Sequence, residues 1–209
     1  MKTVVVLAGG PDAPAGFTLP FGAAVIAADS GAELGFRVDL AVGDFDSISP
    51  ETLASIEQVE PYPPHKDATD LELALAAALR LEPERILVVG SAGGRLDHLV
   101  GSLLLVAADA YSGVQVDAQL GTAAVHVVRG GRALYGEPGE LISLFAVHGP
   151  AEGVVTDGLV YPLRGETLEP GSSRGTSNAF ATAVARVSLT RGVLLAVRPS
   201  GSVEARSSS

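Results

Sequence analysis

Five aspartates in the first half of the chain stand where a strand ends or a helix begins. Asp29 follows the apolar run Ala24-Val25-Ile26-Ala27-Ala28, Asp44 and Asp46 follow Leu40-Ala41-Val42, and Asp67 and Asp70 flank the start of a helical pattern. Two apart in an extended stretch, Asp44 and Asp46 are expected to point the same way and share a cation, while Asp67 and Asp70 can converge across one turn. Hard carboxylate oxygens suit magnesium, which keeps waters and takes substrate phosphates as further ligands. No histidine pair stands at ligand spacing, so zinc is not expected. Each aspartate also has an ordinary reading, because an acid near a helix N-terminus answers the macrodipole and Gly-Asp and Asp-Ser are common turn pairs. Clustering points the other way: converging carboxylates repel one another unless a cation sits among them.

Two glycine turns stand in the same half. Leu7-Ala8-Gly9-Gly10 ends the first apolar run, and Ser91-Ala92-Gly93-Gly94-Arg95-Leu96-Asp97-His98 ends the run Ile86-Leu87-Val88-Val89 and opens a helix. Bare backbone amides beside a helix start can cradle an anion, and Arg95 adds a planar fork for phosphate oxygens. Tight strand-to-helix turns use glycine anyway. Neither a Walker-type lysine motif nor G-x-G-x-x-G is present, so the common nucleotide folds are not signalled.

The elements that must position these groups follow from periodicity. Continuous apolar runs at 4–7 and 86–89, with shorter ones at 24–28 and 40–42, read as strands buried on both faces, as in a parallel sheet. Ser49-Pro50-Glu51 reads as a helix start, and Thr69-x-x-Glu72 as a capping box opening a helix with Leu71, Leu75, Ala78 and Leu79 on one face. A third helix after Asp97 carries Leu99, Val100, Leu103, Leu104 and Ala107. Beyond about residue 120 helical periodicity gives way to glycine, proline and alternating runs such as 141–147 and 183–189, the pattern of an antiparallel β-domain. Thr190-Arg191-Gly192 reads as a hairpin turn into 193–197. The expected organisation is an α/β domain with a mainly parallel sheet over 1–120, followed by an antiparallel β-sandwich over 121–209, with a fraying tail from about 199.

Composition narrows the function. The chain has 209 residues, 47% of them hydrophobic, which suffices for sizeable cores. Fourteen basic against 24 acidic residues, net −10, argue against a nucleic-acid partner. The absence of cysteine excludes disulfides and thiolate chemistry. No membrane span or signal-peptide core is read from the sequence, so a cytoplasmic protein is expected. His65, His126 and His148 are expected to be ordinary surface or satisfied histidines.

Taken in order, Ala28-Asp29-Ser30-Gly31-Ala32, Gly43-Asp44-Phe45-Asp46-Ser47-Ile48, Lys66-Asp67-Ala68-Thr69-Asp70 and Gly93-Gly94-Arg95-Leu96-Asp97-His98 closely resemble signature blocks of the thiamine pyrophosphokinases. Thr156-Asp157-Gly158-Leu159-Val160-Tyr161-Pro162-Leu163 and Gly175-Thr176-Ser177-Asn178 resemble that family's thiamine-side blocks. The resemblance implies a magnesium-dependent homodimer with active sites between subunits, moving the β,γ-diphosphate of ATP to thiamine. It implies that Asp44, Asp46, Asp67 and Asp70 hold metal and phosphates, and that Asp29, Gly9, Gly10, Lys66, Gly93, Gly94 and Arg95 bind ATP. Asp97, Arg95 and Asp67 would be catalytic, and Tyr161, Ser177, Asn178, Asp97 and His98 would meet thiamine. Ser30 stands where glycine is more usual in the family, and Asn178 is followed by Ala-Phe rather than an acid. Alternatives on the residues alone are a diphosphokinase for another alcohol such as a hydroxymethylpterin, a nucleotidyltransferase, and a non-catalytic nucleotide or thiamine binder. If a general base exists, Asp97 is the first choice. Thiamine is a permanent cation, so an exposed Tyr161 ring could meet it by a cation–π contact; the ordinary reading of Tyr161 is strand packing.

Overall fold

The structure is a computed structural model that describes residues 1–14 and 16–203. The chain divides into two compact units. The first comprises Met1–Leu105 and Val114–Gly121, the second Val106–Gly113 and the chain from Thr122.

In the first unit the apolar runs form strands as expected. β1 (Thr3–Gly9), β2 (Ala24–Ala28), β3 (Leu40–Gly43), β4 (Gln58–Pro61), β5 (Arg85–Gly90) and β6 (Gln115–Leu120) lie in the order β6-β5-β1-β2-β3-β4. Every pairing among them is parallel. All six residues of β5 are buried, which explains the apolar run from Ile86 to Val89, while the buried Arg85 pairs with Asp117 at 2.8 Å. β4 was not legible: Gln-Val-Glu-Pro is mostly exposed and ends in proline, tolerated because this strand lies at the sheet edge.

Three helices join the strands. In α1 (Pro50–Ser55), Ser49 Oγ accepts from the Thr52 amide at 3.2 Å and proline occupies the first turn. In α2 (Asp70–Leu79), Thr69 Oγ1 accepts from the Glu72 amide at 3.2 Å, and Leu71, Ala74, Leu75, Ala77 and Ala78 are buried against the sheet. Burying a side chain like Leu75 contributes about 2 kcal/mol. α3 (Leu96–Val106) forms after the second glycine turn as expected; of its residues only Val106 is buried, and Leu96, Val100 and Leu104 are exposed.

The second unit holds two antiparallel sheets. β7 (Ala123–Val128), β9 (Leu141–Ala146), β12 (Asn178–Ala179) and β14 (Leu194–Arg198) form one, in the order β12-β9-β14-β7. β8 (Gly131–Tyr135), β10 (Ala151–Asp157), β11 (Arg164–Leu168) and β13 (Val184–Ser188) form the other, in the order β11-β10-β13-β8. Leu144, Val154, Leu168, Phe180, Val187 and Leu194 belong to one core to which both sheets contribute, so this is a sandwich. Residues 190–192 are not the expected hairpin turn, because β13 pairs with β8 and β10 whereas β14 pairs with β7 and β9. The chain crosses between sheets there, and a Cβ on Gly192 (φ 97°) would strike the Pro150 carbonyl. Within the described part of the tail, Gly201 N–H donates to Thr122 O at 3.0 Å and Val203 is buried. The rest of the tail expected to fray, 204–209, lies outside the described residues.

Candidate active site

The strand order places a topological switch between β1 and β5, since the chain runs from β1 outward through β2, β3 and β4 and then returns to β5 on the other side. Ligands of open parallel sheets bind at such a point, beyond the carboxyl ends of the strands. Both glycine turns lie there. Gly9 (φ 69°) pairs in register with Gly90, and Gly10 has φ 104°. Asp12 ties the turns together: its Oδ1 accepts from the Gly93 amide at 2.9 Å and from the Ser91 hydroxyl. Those bonds hold the Asp12 carboxyl below its ordinary value, that from Ser91 most. The Gly93 amide expected to cradle a phosphate is thus already occupied by an internal carboxylate. Gly94 (φ 84°) follows as the chain turns into α3.

Next along the edge, Asp29, Asp44 and Asp70 each offer a carboxylate oxygen, and these lie within 4.8 Å of one another. Asp29 opens a 3-10 turn (Asp29–Leu34) at the end of β2, Asp44 follows β3, and Asp70 is the first residue of α2. Gly43 permits the approach, because a Cβ there would lie 3.1 Å from Asp70 Oδ1 and 3.2 Å from Asp29 Cβ. Asp29 Oδ1 is buried without a hydrogen bond, and Asp70 Oδ1 has no hydrogen bond but the Lys66 ammonium 2.9 Å away. Burial pushes the Asp29 carboxyl above its ordinary value against bonds from Ser30 and Ser47, and the charges of Asp70 and Asp46 add to the rise. An orphaned oxygen beside two further carboxylates is a donor set that fits a hard divalent cation.

Asp46 and Asp67 are not in this group, which differs from the expected pairing. Phe45 is the reason for Asp46: with φ 61° it is left-handed, so the stretch is not extended and alternation fails. Asp46 is exposed and accepts from the Ser47 hydroxyl at 2.7 Å. Asp67 is also exposed, and its neighbour Lys66 reaches the group instead, 3.4 Å from Asp44 Oδ2. Asp29, expected among the ATP contacts, joins the cluster in place of both.

At the start of α3, Arg95 forks onto Asp97, with Nε to Oδ1 at 3.2 Å and Nη2 to Oδ2 at 2.6 Å. Both side chains are well exposed. The Arg95 hydrogen bonds hold the Asp97 carboxyl at about 2. In the ligand-free protein this pairing keeps Asp97 ionised and gives the Arg95 guanidinium a carboxylate partner. His98 is exposed beside it. Because the folded value is depressed, Asp97 stays ionised and paired at every pH well above it, and the contribution fades only as pH falls through about 2. An NMR titration of the Asp97 carboxyl carbon in ligand-free protein should show a midpoint far below the ordinary aspartate value of about 3.9, and an ordinary midpoint would break this assignment.

In the second unit Asn178 is buried and its carboxamide makes three hydrogen bonds to backbone. Oδ1 accepts from the amides of Tyr161 at 3.0 Å and Ala179 at 2.9 Å, and Nδ2 donates to the Tyr161 carbonyl at 2.7 Å. Asn178 therefore holds the Tyr161 backbone. The Tyr161 side of the expectation fares differently: the residue is 62% exposed, so it is not a core strand residue. Ser177 is exposed with φ 55°, and its amide donates to Ser143 Oγ at 3.1 Å. The Asn178 bridge thus gathers Tyr161 and Ser177 into one place.

Two positioning residues had no signal in the sequence. Asp12 lies two residues beyond the Gly9-Gly10 turn, in a stretch whose pattern gives it no role of its own. Glu33, in the 3-10 turn begun by Asp29, accepts from the Ser49 amide at 2.6 Å and the Thr52 hydroxyl at 3.1 Å. It pins the far end of the loop that carries Asp44 to the turn that carries Asp29.

Residues 22–116 match the family model described as thiamin pyrophosphokinase, catalytic domain, and residues 131–194 match thiamin pyrophosphokinase, vitamin B1 binding domain. The thiamine pyrophosphokinase of Bacillus subtilis (strain 168) is 30% identical over 172 residues, covering 76% of this chain and 77% of that protein. Among solved structures, the thiamine pyrophosphokinase of Bacillus subtilis has a TM-score of 0.83 at 27% identity, covering 96% of this chain and 100% of its own. A thiamin pyrophosphokinase family protein from Enterococcus faecalis has a TM-score of 0.81 at 27% identity, covering 97% and 100%. The thiamin pyrophosphokinase of Candida albicans, at 15% identity and TM-score 0.75 over 94% of this chain and 88% of its own, shares the fold. Fold, edge site and matches together define an ATP-dependent diphosphotransferase. The chain belongs to the thiamine pyrophosphokinase family.

Proposed function

We propose that this enzyme transfers the β,γ-diphosphate of ATP to the primary alcohol of thiamine, giving thiamine diphosphate and AMP. The observation that carries the reading is the meeting of Asp29, Asp44 and Asp70 at the carboxyl edge of the sheet that also bears the glycine turns. These three residues would hold magnesium, which when bound neutralises charge on the phosphates. The thiamine oxygen forms a bond to the β-phosphorus, the bond from that phosphorus to the α-phosphate bridging oxygen breaks, and the alcohol proton passes to solvent. The Gly9-Gly10 turn gives the phosphates a close backbone approach. Arg95 exchanges its Asp97 partner for phosphate oxygens, spreading positive charge over the group in transit. Asp97 keeps that fork oriented until the phosphates arrive. Such transfers depend mainly on alignment and electrostatic stabilisation, so no strong base is required. The test is an incubation of ATP, magnesium and thiamine: AMP and thiamine diphosphate should appear together. Free pyrophosphate as the leaving group would instead indicate a nucleotidyltransferase.

Tyr161 is proposed to stack on the thiazolium. Tyr161→Ala should raise the thiamine KM by an amount equivalent to roughly 1–3 kcal/mol, and Tyr161→Phe should act mildly because the π face remains. Since the side chain is exposed, the melting temperature should hold in both. A marked stability loss with unchanged thiamine dependence would remove Tyr161 from the binding site.

The enzyme is proposed to act as a homodimer whose active sites are completed between subunits. Support comes from α3, where Leu96, Val100 and Leu104 are exposed at four-residue spacing on one helix face. Light scattering should give a dimer, and Val100→Asp should shift it to monomer with loss of activity. A monomer with full activity would refute this. No helix among the described residues is long and apolar enough to cross a membrane, and the proposed location is the cytoplasm.

A further inference from the structure

Lys66 sits in an unusual place for a surface lysine. Its side chain is only 12% exposed, with Nζ 2.9 Å from Asp70 Oδ1 and 3.4 Å from Asp44 Oδ2. A helix cap does not explain it. Lys66 lies just ahead of the N-cap Thr69, at the end of α2 where the macrodipole disfavours a cation. What holds the ammonium there is the pair of carboxylates that, with Asp29, compose the proposed metal site.

Resting on that reading of the site, we infer that Lys66 is a positioning residue that competes with the divalent cation for Asp44 and Asp70, so that metal enters with the nucleotide rather than ahead of it. A metal ion would take the carboxylate oxygens on which the ammonium rests, and two cations a few ångströms apart in a partly buried site repel strongly. Bare metal must therefore displace Lys66 or bind against its charge. ATP changes the balance. Its phosphates offer the ammonium new acceptors, and the four-carbon stem of lysine is flexible enough to carry the head group a short way toward them. The charge that opposes bare metal then favours the metal–nucleotide complex.

The test uses Mn2+ as the probe, titrated into the full-length protein without nucleotide while free Mn2+ is followed by electron paramagnetic resonance. Two neutral replacements, Lys66→Met and Lys66→Gln, should each bind Mn2+ alone at least about ten-fold more tightly than the parent protein. Lys66→Arg, which keeps the charge, should stay near the parent affinity. In the same neutral variants the ATP KM should rise while the thiamine KM stays level. Melting curves supply a second readout: with chelator present the neutral variants should melt below the parent, and added Mn2+ should raise them by more. Parent-like or weaker Mn2+ affinity in both neutral variants overturns the inference, as does equal tightening in Lys66→Arg. Asp70→Asn separates this from failure of the site itself. If that change leaves Mn2+ binding untouched, the carboxylates are not the metal site; if it abolishes binding while the neutral Lys66 variants behave like the parent, only the role of Lys66 fails.

Discussion

Asp44→Asn will lower kcat/KM by about 10²–10³, the scale reached when one preorganised electrostatic group is removed from a transfer site, while the melting temperature stays near that of the parent. The substitution keeps volume and removes the ligand charge that Asp44 contributes beside Asp29 and Asp70. Asp46→Asn provides the contrast. Its side chain is exposed and outside that group, so its loss should be under about ten-fold. Following AMP and thiamine diphosphate in both variants checks the pair of expectations, and an Asp46→Asn enzyme as crippled as Asp44→Asn would restore the two-apart pairing that Phe45 breaks.

Asn178→Ala will produce the largest combined defect of stability and recognition. Its carboxamide makes three hydrogen bonds to the backbone of Tyr161 and Ala179. Truncation strands those partners in a buried setting, at a cost of about 2–4 kcal/mol, and the melting temperature should fall by on the order of 10 °C. The thiamine KM should rise too, because the loop that presents Tyr161 loses its anchor. Asn178→Ala and Tyr161→Ala combined should raise the thiamine KM less than the product of their separate effects. An unchanged thiamine KM in Asn178→Ala would show that the bridge serves folding alone.

What could be read from the sequence was what depends on local pattern. β1 and β5 announced themselves as unbroken apolar runs, and α2 by its Thr69 cap and periodic face. The carboxylates were visible as a set, and their placement at strand ends followed from the same alternation. Their grouping was not. It depends on Asp29 (φ 43°) and Phe45 (φ 61°) holding left-handed conformations that no local rule assigns to those residues. Ser177 (φ 55°) is a third such residue near a proposed binding group. The crossing at 190–192 was misread because glycine between two alternating runs signals a turn without saying whether the next strand stays in the same sheet. The exposure of Leu96, Val100 and Leu104 on α3 could not be read for a related reason: apolar periodicity marks a face that will be covered, not what covers it.

The bridge from Asp12 to the Gly93 amide joins residues 81 apart in sequence. The carboxylate group, by contrast, spans only Asp29 to Asp70. All three aspartates are therefore translated before β5, which begins at Arg85. The cradle between the glycine turns must wait for β5 to insert beside β1, a distant pairing whose loop-closure entropy is offset only once it forms. The Asp12 bridge is thus the later of the two groupings to become possible, whereas Lys66, translated between Asp44 and Asp70, is present by the time the three carboxylates are complete.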